Sequence, residues 1–283
     1  MNYRHTYHAG NFADVLKHAV LALVIEHFKR KDTPFRVVDT HAGIGTYDLG
    51  SVEAGKTSEW QDGIGRLIGP GALPPPADVA AVLEPYLAGV RELNPAGQAL
   101  KAYPGSPSIA QRLIRRGDTL VVNELHPADH AALVVRFKTD ARVKPLNLDA
   151  WIAIKSQLPP KERRGLVLID PPFEKKDEFP QIARALSGAL KRFANGAYML
   201  WYPIKDLAPV DSFYDSLAGH GITKAMRIEL ETRAPDDPLR LNGCGLLVIN
   251  PPFPLEQQMR VLLPFLSERF ATGPGAGWAV TTL

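Results

Sequence analysis

FRVVDTHAGIGTY, residues 35–47, joins a β-branched run to a turn built on Gly43-x-Gly45. Val37 and Val38, closed by Asp39, read as a short buried strand. The glycines permit a sharp exit from that strand and let the backbone approach a ligand closely. G-x-G alone is shared by dinucleotide-binding proteins and plain turns. The third glycine of the G-x-G-x-x-G pyrophosphate fingerprint is absent, since Asp48 follows Thr46 and Tyr47, and this disfavours a dinucleotide.

Outward from this turn, strand-like and helix-like segments alternate. Upstream, NFADVLKHAVLALVIEHFKRKD carries Val15, Leu16, Val20, Leu21, Leu23, Val24 and Phe28 at helical spacing. Downstream, apolar runs fall at 119–125, 142–147, 165–173, 197–204, 223–230 and 243–253. Helical patterns such as PADHAALVVRFKTD and DEFPQIARALSGALKRFA separate most of them, which predicts βαβ units and a mostly parallel sheet. Only loop residues, ETRAPDDPLRLN, lie between the last two runs, so these are expected to form an antiparallel hairpin. Seven strands with the last antiparallel is the arrangement of the Rossmann-like class I methyltransferase fold, an α/β class. Glu124 stands far beyond the roughly 20 residues that normally separate the glycine turn from the acidic end of strand two. Residues about 47–102 therefore read as a helical subdomain inserted into a single domain spanning 1–283, either substrate-facing or purely structural. The Gly-rich end, ATGPGAGWAVTTL, packs a last short segment or stays mobile.

With 33 Lys and Arg against 30 Asp and Glu, the charge permits a polyanionic partner without demanding one. The single cysteine, Cys244, rules out an internal disulfide and a multi-cysteine metal site, and its apolar setting predicts a core residue. No run of 18 apolar residues and no signal-peptide core occurs, so a cytoplasmic protein without membrane contact is expected.

Carboxylates recur at strand ends. Glu124 closes the second strand, where it can accept from the two hydroxyls of a ribose, or simply be solvated. Asp149 follows the third, placed for an adenine amino group or a helix N-cap, and both can hold. Asp170-Pro171-Pro172-Phe173 follows the fourth. Together with D-x-H-x-G-x-G, this is the order found in S-adenosylmethionine-dependent enzymes. The D-P-P-F tetrapeptide suits transfer to an exocyclic amine. The Asp170 carboxylate and the Pro171 carbonyl can accept both amino hydrogens, the prolines fix them in advance, and Phe173 offers a stacking surface. An anionic Asp also opposes the positive charge that develops on nitrogen. A near copy, Asn250-Pro251-Pro252-Phe253, follows the seventh strand, where no cofactor edge is expected, and reads as a structural turn.

Before the first strand, the arm (1–18) concentrates Tyr3, Arg4, His5, His8, Asn11, Lys17 and His18. Tyr3, Arg4, His5 and Lys17 suit contacts with phosphate and base; a solvated helix face is the plainer reading. No His pair with a carboxylate argues for a metal, and none is expected.

YRHTYHAGNFADVLKH, DTHAGIGTYDLGS, YPGSP, NELHP, RRGLVLIDPPFEKK, LWYP and INPPF…LEQQM resemble the bacterial 23S ribosomal RNA adenine-N6 methyltransferases of the RlmJ type. The likeness runs along essentially the whole chain. It implies S-adenosyl-L-methionine as donor and one adenine of 23S ribosomal RNA, free or early-assembled, as target. It implies cofactor contacts at His18, His41, Ser106, Glu124, Asp149 with Ala150, and Asp170, to which the turn adds Gly43. Asp170 becomes the catalytic acceptor, and Tyr3 sits against the substrate. The chain departs from the family at Phe173, often Tyr, and at Ala150, often Gly. A monomer with no obligate protein partner is expected. DNA adenine-N6 methylation and a non-catalytic nucleic-acid-binding protein on the same fold are the alternatives.

Overall fold

A computed structural model of the chain describes residues 5–95, 99–174 and 178–283. A 3-10 turn, His5–Tyr7, leads into helix α1, Phe12–Lys29, capped by Asn11, whose side chain accepts from the Asp14 N–H at 2.9 Å. Residues 13–25 of α1 are all buried, because apolar residues dominate this span and the helix lies inside the protein. That burial carries Asp14, Lys17 and His18 inward with it.

Strand β1 (Arg36–Asp39) follows, then β2 (Thr46–Asp48), the helices α2 (Val52–Thr57), α3 (Glu59–Asp62), α4 (Gly65–Ile68) and α5 (Ala77–Leu93), and β3 (Ala102–Pro104). Thr46 pairs with Pro104 and Asp48 with Ala102, so the helical segment leaves and rejoins the framework through an antiparallel ribbon. Leu83, Tyr86, Leu87 and Val90 of α5 belong to the same apolar cluster as α1. Next come α6 (Ser106–Leu113), β4 (Thr119–Asn123), α7 (Pro127–Phe137), β5 (Val143–Leu146), α8 (Ala150–Gln157), β6 (Gly165–Ile169) and α9 (Glu178–Arg192). The chain ends with β7 (Ala197–Ile204), α10 (Leu207–Gly219), β8 (Ala225–Glu231), β9 (Gly243–Ile249), α11 (Leu255–Phe270) and β10 (Gly277–Thr282).

The main sheet runs β10-β8-β9-β7-β6-β1-β4-β5. The strands β5, β4, β1, β6 and β7 are parallel, and β9 is antiparallel to both β7 and β8, forming the expected hairpin. Two apolar layers cover it. Leu16, Val20, Leu83 and Leu263 pack on one face; Ile154, Ile182, Leu186 and Phe213 pack on the other. Cys244 is fully buried in β9. Among the described residues no helix is long and apolar enough to cross a membrane.

The seven-strand expectation is corrected to eight. Gly277–Thr282 pairs antiparallel with β8, Trp278 opposite Leu230 and Val280 opposite Ile228. WAVTT has strand character, but the glycines before it hide the run in the sequence. In the fold it takes up the backbone groups that β8 would otherwise leave open at the edge.

Candidate active site

The chain passes outward from β1 to β4 and β5 on one side, then from β6 to β7 on the other, so direction reverses between β1 and β6. Ligands of open α/β sheets bind beyond the strand ends at such a point. Here that crevice is a cleft of about 310 Å³ lined by His41, Gly43, Glu124, Asp149, Ala150 and Asp170, among others.

The turn after β1 requires its glycines. Gly43 has φ +60°, and a Cβ there would meet the Tyr47 Oη at 2.1 Å; at Gly45, φ +86°, it would lie 2.8 Å from the Arg136 Cδ. The Gly43 N–H donates to the Glu124 Oε2 at 2.9 Å, and the His126 N–H to Oε1 at 2.8 Å. Glu124 is thus fixed before any ligand arrives, and burial raises its pKa despite those two donors. Asp149 caps α8, its Oδ1 accepting from the Trp151 N–H at 2.9 Å, while still facing the cleft.

Asp170 follows β6, and its N–H donates to the His41 Nδ1 at 3.3 Å. The Lys17 Nζ lies 2.5 Å from the Asp170 Oδ2 and 2.8 Å from the Asp14 Oδ1. The Asp14 Oδ2 in turn takes the His5 Nε2 at 2.9 Å and the Gly10 N–H at 2.9 Å. A chain of charges therefore runs from the arm through α1 to the tetrapeptide. Burial alone would raise the Asp14 carboxyl, but His5, Lys17 and His18 outweigh it and hold the group well below the usual range. Burial likewise disfavours the Lys17 ammonium, and the two carboxylates reverse that. His5 lines the cleft, whereas Tyr3 and Arg4 lie outside the described residues.

Four expected contacts are placed elsewhere. Lys17, expected to meet RNA, is instead sealed inside the protein by the ion pairs just described. His18 is 1% exposed, with Nδ1 2.8 Å from the Tyr103 Oη, and Ser106 is buried with its Oγ donating to the Asp39 Oδ2 at 2.6 Å; neither lines the cleft. Phe173 does not line it either, because its ring packs against Phe179 and Trp201 at 5.0 and 6.0 Å. Its φ of +49° is strained for a bulky residue and is held by that packing. Sequence reasoning missed one group, Asp14, which hides in a helical pattern. Asp39, read from the sequence as the strand end that opens D-x-H-x-G-x-G, is pushed up to about 7, mainly by burial.

The second tetrapeptide stands at the other end of the sheet. Asn250 follows β9, whose last residue, Ile249, pairs with Tyr198 near the start of β7. Its Nδ2 donates to the carbonyls of Ala194 and Gly196, both at 2.8 Å, and its φ is +52°, a conformation Asn tolerates better than most residues. Asn250→Ala is expected to cost about 1–2 kcal/mol in urea unfolding, from the lost hydrogen bonds and backbone strain, with kcat within twofold of the parent.

His18 also sets a pH dependence. Burial lowers it to about 3, so between pH 3 and the unfolded value of 6.5 the unfolded chain holds the extra proton, and stability falls as pH falls. Asp39, raised to about 7, acts with the opposite sign above pH 4. His18→Gln is expected to reduce the slope of unfolding free energy against pH by about 1.4 kcal/mol per unit between pH 4 and 6, read from urea midpoints; an unchanged slope would contradict the assignment.

Strand order, glycine turn and strand-end carboxylates define a class I methyltransferase fold. The family model described as ribosomal RNA large subunit methyltransferase D, RlmJ, matches residues 32–282, and the chain belongs to that family. It is 43% identical over 282 residues to the Escherichia coli K12 protein named ribosomal RNA large subunit methyltransferase J, covering 100% of this chain and 98% of that one. It is 41% identical over 280 residues to the Haemophilus influenzae protein of the same name, covering 99% and 98%. The crystal structure of protein LPL1258 from Legionella pneumophila superposes with a TM-score of 0.86 at 32% identity, covering 97% of this chain and 98% of that one.

Proposed function

We propose that this protein transfers a methyl group from S-adenosylmethionine to the exocyclic N6 of an adenine in 23S ribosomal RNA. The observation that carries the reading is that Asp170-Pro171-Pro172 line the same cleft as Gly43, Glu124 and Asp149. The fit to the cofactor is chemical. Glu124 offers carboxylate oxygens for ribose hydroxyls, Asp149 for an adenine amine, and the side-chain-free face of Gly43 allows close approach. When bound, the sulfonium supplies the electrophilic methyl group.

The chain's own residues do the rest. The Asp170 carboxylate and the Pro171 carbonyl accept the two amino hydrogens, drawing the lone pair out of the ring and toward the methyl group. The prolines hold both acceptors in place beforehand. Lys17 anchors one Asp170 oxygen and leaves the other for the amine. The carboxylate opposes the positive charge that builds on N6 during transfer. His5 and Thr6 line the same cleft, which supports an arm (1–18) facing cofactor and substrate. The helical segment at about 47–102 is taken as a subdomain within one methyltransferase domain, and the enzyme as a monomer acting in the cytoplasm.

The test is methyl transfer from labelled S-adenosylmethionine to deproteinised ribosomal RNA and to duplex DNA. Incorporation into the 23S species alone is expected. Incorporation into DNA, or into neither, would overturn the reading.

A further inference from the structure

A second groove lies outside the chemistry described above. It opens between the helical segment and the β8–β9 loop, with Glu59 and Asp62 on one side and Arg233 and Arg240 on the other. The strand directions put this loop on the catalytic edge. Gly243 at the start of β9 is level with Ile204 at the end of β7 and with Glu231 at the end of β8. Since β7 is parallel to β6, residues 232–242 emerge from the sheet on the same side as Asp170. The loop is pinned there. The Asn242 N–H donates to the Ile204 carbonyl at 3.0 Å, and its Nδ2 to the carbonyls of Lys205 and Asp237 at 3.1 and 2.7 Å.

The cations of this region have little to do within the protein. Arg233 has no carboxylate partner among the described residues; it donates to the Thr272 Oγ1 at 2.8 Å, and its Nε is buried without an acceptor. An N–H buried in that way is costly unless something else accepts from it. Arg240 is two-thirds exposed and meets only Asp237, at 3.2 Å on a solvated turn, a type of pair that contributes little. Lys205, exposed just past β7, has no ion-pair partner among the described residues. The acids facing the groove, by contrast, are occupied: Glu59 by His8 at 2.9 Å and Asn11 at 3.0 Å, Asp62 by Arg66 at 2.6 Å. Leu239, 90% exposed beside Arg240, adds an apolar tip suited to a ribose or base face.

We infer that the 232–242 loop is a phosphate-backbone site for the RNA strand flanking the target adenine, with Arg233 and Arg240 contacting phosphates and Lys205 extending the track toward the cleft. The inference rests on the RNA reading above. Phosphate contacts of this kind fix register and orientation while the cleft selects the base.

Two full-length variants test it: Arg233→Gln with Arg240→Gln, and Lys205→Glu with Arg240→Glu, the second altered only at exposed positions. Affinity for a 23S RNA fragment is measured at several salt concentrations, with S-adenosylmethionine affinity by calorimetry. Each variant is expected to weaken RNA binding by about tenfold or more and to lower the slope of log Kd against log salt by about 1–2, with cofactor affinity within twofold. If Arg233→Gln lowers the thermal midpoint, the Lys205 and Arg240 variant decides alone. RNA affinity and salt slope equal to the parent in a folded variant would overturn the site. If the parent methylates the RNA and the variants bind it equally well, this inference alone fails. If the parent neither binds nor methylates it, the functional reading falls and takes this site with it.

Discussion

Asp170→Asn is expected to lower the rate of methyl transfer by about 10³-fold while S-adenosylmethionine affinity stays within about threefold. The substitution keeps the shape of the side chain and removes its charge. An amide can still accept one amino hydrogen, but it no longer opposes charge building on the nitrogen, and a preorganised electrostatic contact of this kind is worth about 10²–10³ in rate. Loss of the ion pair to Lys17 loosens the remaining acceptor as well. The proposed cofactor contacts in the same cleft, Gly43, Glu124 and Asp149, are untouched. Single-turnover kinetics separates the effects: the chemical step should collapse while binding persists. A tenfold loss or less would mean that Asp170 mainly supports the fold.

Lys17→Met is expected to cost about 3–5 kcal/mol of stability and at least about 10²-fold in rate. Lys17 is 3% exposed and is the cation between Asp14 and Asp170. Deleting it leaves Asp14, itself 1% exposed, deprived of one of the charges that keep it ionised. The deficit should have a pH signature. A carboxyl held below its unfolded value stabilises the fold above about pH 4, and that contribution is lost as pH falls through the folded value. The variant's deficit should therefore shrink at pH 4, where a proton can discharge Asp14 in place of the lysine. Urea unfolding at pH 7 and pH 4 reads this, and equal deficits at both would contradict the ion-pair account.

Much of the cleft was legible in the sequence because its chemistry sits at strand ends in a fixed order. The turn at Gly43, Glu124, Asp149 with Ala150, and Asp170 end or follow runs whose apolar character marks them as strands, and strand order alone brings them to one edge. The same order separated Asp170 from Asn250, whose tetrapeptides look alike but face opposite ends of the sheet. What was hidden depends on contacts across the fold. Lys17 read as an exposed arm residue because its partner lies 153 positions away, and only the all-round burial of α1 makes that pairing necessary. Phe173 read as a platform in the cleft, yet a backbone twist and two neighbouring rings take it elsewhere. The strand β10 was masked by glycines and is defined by the edge it covers rather than by its own pattern.

The central claim, transfer to N6 of one adenine directed by Asp170, is tested most directly by the product. Deproteinised 23S RNA is incubated with the protein and methyl-labelled S-adenosylmethionine, digested to nucleosides and separated. The account predicts label in N6-methyladenosine alone, approaching one methyl per RNA, and none with Asp170→Asn under the same conditions. Label in another nucleoside, or undiminished label with the variant, would contradict it.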